Sequence, residues 1–475
     1  MKRTFCILLA FCTLLGLAAC GKSEENKENS EATVETQEQE TSYYLDTLSD
    51  NVYGEEIFRV MTIKGNIPDE EKSQKNIVGE KLYTRDVKME DRYGISIAYK
   101  EIKNDSSAIT DMQNAATNSD VKFHAFVTNA ERLMNLAASG YVENLNEIQN
   151  LDMEKEWWSQ SLNQNCTINN TLYCSAGPYS EYYYHAAICL AYNKSIAAKY
   201  EGMDIYNDVL NDNWTLEQMK RYCVDFEVTN DDNGDSFFDE NDTYAITANS
   251  SVMYGMFAGA GGRFSTMDEE GNIEIPLASE QSQRILERIL TVFRSDNVYL
   301  NKYAESAAQF TKGKALFLYT STGYLYDYLP SSKVDYGIIP LPKYDANQTE
   351  YVTCAWPTSN YCTSIPIGLS EDEKGFAGLM LEAYCFLSYE LVRPAKYETV
   401  LKLQIALDPT ASELMDIIFN NMYFDMNLVF DFGGSRSAVQ NVVKSFSMGR
   451  YTAVLEGIRG EINGDIEKLL APTRQ

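Results

Sequence analysis

The chain has 475 residues, 44% of them hydrophobic and 23% charged, which is the composition of a globular protein of roughly two to three domains. Disordered, collagenous and multispanning chains are thereby excluded. The formal net charge of −29 repels phosphate backbones and argues against nucleic acid as a partner. Only two histidines, His124 and His185, are present, too few for a histidine-rich zinc site or a comfortable choice of catalytic base. Tyrosine, by contrast, occurs 33 times.

At the N-terminus, Lys2 and Arg3 precede an apolar run over residues 5–17, too short to cross a bilayer as a helix. The run ends in Leu17-Ala18-Ala19-Cys20-Gly21, which resembles the lipobox of bacterial lipoproteins. The resemblance implies a signal peptide over 1–19 and a mature N-terminal Cys20 carrying the lipid (palmitate). Acyl chains there anchor a protein to the extracellular face of the cytoplasmic membrane without a spanning helix. An ordinary secretory signal cut near Ala19 is the alternative. Residues 21–50 are rich in Glu, Ser, Thr, Asn and Gln and poor in large aliphatics, so 20–51 reads as the lipidated Cys and a disordered acidic tether.

Seven cysteines lie beyond Cys20, an odd number that leaves at least one thiol free. Cys166 and Cys174 flank a hairpin-like segment in which a three-residue loop at 169–171 places them opposite each other, and Cys354 and Cys362 repeat the spacing. Disulfide pairing and simple burial as small hydrophobes both remain open.

Beyond residue 50 strands and helices alternate. Residues 57–63 read as a β-branched and aromatic strand. Val78, Leu82, Met89 and Tyr93 mark an amphipathic helix that stops at Gly94. Residues 95–99 and 123–128 are further strands, and a helix rich in Ala and Leu ends at Gly140. Residues 186–192 form a strand; Thr215 and Gln218 offer a capping box; 277–296 is a long helix; Ser370 and Glu373 open another, through about 388. This alternation implies α/β architecture with a parallel sheet.

Several landmarks follow in order: Gly140-Tyr141-Val142-Glu143-Asn144-Leu145, Trp157-Trp158, Leu190-Ala191-Tyr192-Asn193-Lys194 and Asn213-Trp214-Thr215. Then come Phe310-Thr311-Lys312-Gly313-Lys314-Ala315-Leu316-Phe317 and Asp335-Tyr336-Gly337-Ile338-Ile339-Pro340-Leu341-Pro342-Lys343. Over about 52–475 this ordered set resembles the extracellular solute-binding lipoproteins of ABC importers, in the group similar to maltodextrin- and sugar-binding proteins. The resemblance implies a two-lobe periplasmic-binding-protein-like (type II) α/β fold with discontinuous lobes and a hinge. It assigns 52–183 with 336–373 to lobe one and 184–335 with 374–475 to lobe two, with crossings near 182–188, 333–339 and 370–378. It also implies a solute, a sugar or oligosaccharide, held in the cleft at the carboxyl ends of strands and passed to ABC permease subunits.

Aromatic faces and polar groups at such a cleft suit a sugar, which points to Asn129, Tyr182, Tyr183, Tyr324 and Trp356 as ligand-binding residues. In maltodextrin binders the strand end matching Gly323-Tyr324 carries Gly-Pro-Trp; here the proline is absent and Tyr stands in place of Trp. Alternate tyrosines packing a strand, and a packing Trp at 356, are the plain alternatives. An acidic surface mildly disfavours polyanionic ligands, although total charge does not fix the charge of a cleft.

The segment at 231–242 has the register of a calcium loop: Asp231, Asn233, Asp235, Asp239 and Asp242 at positions 1, 3, 5, 9 and 12, with the Phe237 carbonyl at 7. Ser236 replaces the usual Gly at position 6 and Asp the usual Glu at 12. Structural Ca2+ and an acidic turn without metal both fit. No GxSxG or HExxH motif is present. A binder that is not an enzyme is the leading expectation, and a surface-anchored glycan-active hydrolase the alternative.

Overall fold

The computed structural model describes residues 44–471, apart from 51, 104–106, 118–121, 269, 331, 357–359 and 445–447. The signal segment and Cys20 lie outside the described residues. The chain divides into two compact units at Leu48 and Ser49. In the first, residues 44–47, expected within the tether, form a helical turn.

Ten strands build two sheets: β1 (Ile57–Thr62), β2 (Ser96–Glu101), β3 (Ala125–Asn129), β4 (Ser175–Ala176), β5 (Ile188–Asn193), β6 (Tyr244–Ala248), β7 (Val298–Leu300), β8 (Ala315–Ser321), β9 (Tyr336–Ile339) and β10 (Tyr361–Ser364). The first sheet runs β2-β1-β3-β10-β4 and the second β9-β5-β8-β6-β7. Within the first, β1, β2 and β3 are parallel, and β10 is antiparallel to β3 and β4. Within the second, β6, β7 and β8 are parallel, and β5 is antiparallel to β8 and β9. The sheets are therefore mixed, not parallel throughout as the alternation of elements implied. Each keeps a parallel core, whose carboxyl ends form a ledge on which loops and helix starts collect.

Local signals set the element boundaries. Asn76 caps the helix Ile77–Tyr93 through the Gly79 amide (2.8 Å), and Gly94 ends it at φ 63°, a left-handed cap that glycine adopts without strain. The helix Tyr303–Thr311 closes before Gly313, and the chain enters β8, every residue of which is buried. Thr215 accepts the Gln218 amide, but the Gln218 side chain bonds Asp208 and Tyr222, so only half of that capping box forms. The box at Ser370 and Glu373 is complete. The helix it opens, Glu371–Leu387, does not stop near 388; it continues in wide, π-type turns to Ile405. The stretch is apolar enough to cross a bilayer but is largely buried in the protein, as a core helix is.

Packing explains several landmarks. Trp214 is fully buried beside Phe317 and donates from Nε1 to the Pro340 carbonyl (3.0 Å). Trp157 and Trp158 both donate their indole N–H groups to the buried carboxylate of Glu382 (3.1 Å each). These two hydrogen bonds offset the desolvation of the buried carboxyl group. The seven described cysteines are free and buried, so neither disulfide forms. The reason is local: Asn169 and Asn170 both adopt positive φ in a two-residue turn bridging Ile168 and Thr171, which puts Cys166 out of register with Cys174.

The passages between sheets also differ from expectation. The chain leaves the first sheet after β4 and enters the second at β5, close to the expected 182–188. It returns between β9 and β10. Residues 336–339, expected at a crossing, are a strand of the second sheet, because β9 pairs with β5 over four residues. The return lies near Ala355, which forms an antiparallel bridge with Ala187, so the two connecting segments run side by side.

Candidate ligand-binding site

The carboxyl ends of β6 and β7 open onto a cavity of about 580 Å³. After β6 come Asn249, Ser250 and Ser251, then Tyr254 on the first turn of the helix Val252–Gly259. After β7 come Asn301, Lys302 and Tyr303, the last opening the helix Tyr303–Thr311. Trp356, on the return segment, and Arg436 and Gln440, on the helix Ser435–Asn441, complete the walls.

Its aromatic side is built by stacking. Tyr324, just past β8, lies flat on Tyr303 with ring centroids 3.7 Å apart. Trp356 meets Tyr324 edge-on at 5.8 Å and Tyr254 at 6.2 Å. The Tyr303 hydroxyl shares a hydrogen bond with Thr320 (2.7 Å), which fixes the ring against the sheet. Burial pushes the Tyr303 hydroxyl well above its ordinary range and raises that of Tyr324. Both are neutral near pH 7 and present apolar faces. The close approach of His185 to the first turn of the helix Thr322–Tyr328 requires glycine at 323: a Cβ there sits 2.6 Å from Cβ of His185.

The polar side is held as firmly. Gln440 donates to Ser250 Oγ (2.9 Å), and Asn249 Oδ1 accepts from the Ser251 amide (3.0 Å). Arg436 donates to the Leu428 carbonyl (2.7 Å) and pairs with Asp431 (3.4 Å). Its other neighbour is Glu131 at 4.0 Å. Glu131 opens the helix Ala130–Ala138, which follows β3, so Arg436 reaches the carboxyl ledge of the first sheet.

On that ledge Asn129 spends its Oδ1 on the Arg132 amide (3.0 Å), as the cap of the helix after β3. It pairs in register with Tyr361 of β10, whose ring meets Tyr182 at 4.8 Å. Tyr182 packs in turn on His185 (5.1 Å), and His185 on Tyr326 (5.9 Å). Burial, with Lys396 nearby, holds the His185 imidazole neutral, its pKa pushed down to about 3. Burial and the Glu181 charge push the Tyr182 hydroxyl up to about 12.

Of the five residues singled out in the sequence, Trp356 lines the cavity and Tyr324 packs behind it on Tyr303, and Asn129 and Tyr182 meet around Tyr361. Tyr183 lies elsewhere, in a separate cavity of about 250 Å³ with Trp157, Arg393 and Tyr397. The sequence reading missed Tyr254, Tyr303, Lys302 and Arg436. The signals were faint: a three-residue strand ahead of Asn301-Lys302-Tyr303, and two glycines at positive φ, Gly433 and Gly434, ahead of Arg436.

In the 231–242 loop the side-chain oxygens turn toward the loop's own amides. Asp231 accepts from Gly234 (2.7 Å) and Ser236 (2.8 Å), Asn233 from Asp235 (3.0 Å) and Asp235 from Phe237 (2.8 Å). Asp239 accepts from Asn241 (2.7 Å), and Asp242 from Asp232 (3.0 Å) and Asp239 (2.8 Å). Among the described residues no three His, Cys, Asp or Glu side chains converge on a metal-sized site.

A family model for bacterial extracellular solute-binding proteins matches residues 86–379, more than half of the chain. The chain belongs to that family. No curated protein matches the sequence significantly. Solved structures share the fold. An ABC substrate-binding protein of Listeria monocytogenes, solved with cycloalternan, is 13% identical with a TM-score of 0.54, covering 87% of this chain and 99% of its own. A cyclo/maltodextrin-binding protein with maltotetraose is 13% identical with a TM-score of 0.57, covering 88% and 97%. A family 1 extracellular solute-binding protein of Bifidobacterium longum subsp. infantis is 15% identical with a TM-score of 0.57, covering 86% and 99%. The fold of this solute-binding protein is thus that of the periplasmic solute binders.

Proposed function

We propose that this solute-binding protein captures a carbohydrate in the 580 Å³ cavity and delivers it to the permease of an ABC importer. The observation that carries the reading is the aromatic wall of Tyr303, Tyr254 and Trp356, backed by Tyr324 stacked on Tyr303 and set among amide and hydroxyl groups at the carboxyl ends of two parallel strands. Aromatic faces cover the C–H faces of a pyranose while polar groups meet its hydroxyls. The sugars held by the similar structures from Listeria and in the cyclo/maltodextrin binder support the same choice.

In this reading each sheet forms the floor of one lobe, and the lobes close about the paired segments at Ala187 and Ala355. Glu131 and Asn129 then approach the sugar from the first lobe and the aromatic wall from the second. The chemistry is recognition alone, with no covalent step, and closure follows from tighter binding to the closed state. Cys20 carries the lipid anchor, and Ca2+ orders the 231–242 loop by drawing its carboxylates off their own amides.

The test is a thermal-shift screen of the purified protein against mono- and oligosaccharides, amino acids and peptides, followed by calorimetry. A sugar that raises the melting temperature and is recovered intact is the expected result. Binding confined to amino acids or peptides refutes the carbohydrate reading, and conversion of the sugar to product refutes the binder.

A further inference from the structure

The cavity carries charge of the sign opposite to that of the protein. The chain has a net charge of −29, yet the described side chains that line the cavity include Lys302 and Arg436 and no aspartate or glutamate. Arg436 is largely compensated by Asp431 at 3.4 Å, with Glu131 at 4.0 Å. Lys302 is exposed and has no ion-pair partner among the described residues.

The backbone adds to the same field. The helix Tyr303–Thr311 begins at the cavity, and Lys302, at its cap, does not close the first turn with its side chain, with Glu305 in that turn offsetting part of the field; the first turn of the helix Val252–Gly259 is held instead by the Asn249 and Ser251 carbonyls. Uncovered N–H groups at a helix start favour negative charge. Of the two cations in the lining, Lys302 is thus the one left for an anionic oxygen of the ligand.

We propose that the ligand is an acidic oligosaccharide, its ring faces on Tyr303 and Trp356 and a singly charged acid group, a uronate carboxylate or a sulfate ester, against Lys302. The proposal rests on the carbohydrate reading above and narrows it. The acid group makes a charge-assisted hydrogen bond to the ammonium, and the stacked wall selects a sugar acid over a small inorganic anion.

Calorimetry on the purified protein with matched pairs tests it: an oligogalacturonate against its neutral methyl ester, and a sulfated oligosaccharide against its desulfated form. One acidic member should bind at least tenfold more tightly than its neutral match, and which pair responds tells carboxylate from sulfate. That advantage should shrink between 50 and 300 mM salt, as screening of an exposed pair requires. It should fall toward onefold in Lys302→Gln and return in Lys302→Arg, with melting temperatures confirming that both variants fold. Neutral members binding as well as or better than their acidic matches overturns the proposal and leaves the carbohydrate reading standing. An acidic preference unchanged in Lys302→Gln also overturns it, by moving the anion contact elsewhere. Binding of no sugar, acidic or neutral, removes both.

Discussion

Replacing His124 by asparagine should remove a pH-dependent part of the protein's stability. The imidazole is buried between Phe58 (6.0 Å) and Phe376 (5.1 Å), and its Nδ1 accepts the Arg59 amide at 3.0 Å, so only the neutral form fits. Burial, then the Arg59 charge, pushes its pKa down to about 4, with Glu373 opposing. An unfolded histidine titrates near 6.5. Above that pH neither state binds the proton and the site is neutral to stability. As pH falls below 6.5 the unfolded chain takes up a proton that the folded chain refuses, so stability declines and the decline levels off only below about 4. Linkage gives a loss of about 2 kcal/mol at pH 5 relative to pH 8, approaching about 3.4 kcal/mol in stronger acid. The assay is urea denaturation of wild type and His124→Asn at pH 8, 6.5 and 5 at constant ionic strength. Asparagine can still accept the Arg59 amide and does not titrate, and effects common to both chains cancel in the difference. Wild type minus variant should fall by about 2 kcal/mol between pH 8 and 5. A difference constant to within about 0.5 kcal/mol would refute the claim that His124 is held neutral.

Three further outcomes are expected. Trp356→Ala and Tyr303→Ala should each weaken sugar binding about tenfold by calorimetry, since a stacking aromatic contributes on the order of 1–3 kcal/mol by area burial; unchanged affinity in both, with the fold intact, moves the site elsewhere. Gly323→Ala brings a methyl group within 2.6 Å of His185 Cβ and should cost about 1–3 kcal/mol in denaturant melts while displacing Tyr324 from Tyr303; a variant as stable as wild type contradicts the close approach. Millimolar Ca2+ should raise the melting temperature of wild type by mass action and not that of an Asp231→Ala, Asp239→Ala double variant; equal responses leave the loop a self-satisfied turn.

Elements governed by neighbours in sequence were legible before the structure. The Gly94 stop and the Ser370–Glu373 box are short-range effects, settled by residues within a turn of one another. Elements that depend on distant partners were not. Residues 336–339 are rich enough in β-formers for a strand, but only pairing with β5 assigns them to the second sheet. The helix from Glu371 runs on past Ser388 through Pro394, because packing against helix Ile77–Tyr93 buries Val392 and Ala395 beside Val78 and Leu82. Local propensity alone stops it earlier.

The candidate site divides in the same way. Tyr324 and Trp356 stood out in sequence as aromatics in loops at a strand end and beside a proline. Tyr183 had the same credentials and points into another cavity, because successive residues of the 3-10 turn Glu181–His185 face different sides. Arg436 and Tyr303 are 133 residues apart in the chain (436 minus 303) and share one cavity only through the folding of the second sheet and its helices. The sequence by itself determined composition, charge, the boundaries marked by a cap or a glycine stop and the family to which the landmarks point, since each is written in residues close enough to read together. Which strands pair, which aromatics stack and which sign of charge lines the cavity were decided by tertiary structure, because each depends on side chains that meet only after the chain has closed loops of a hundred residues and more.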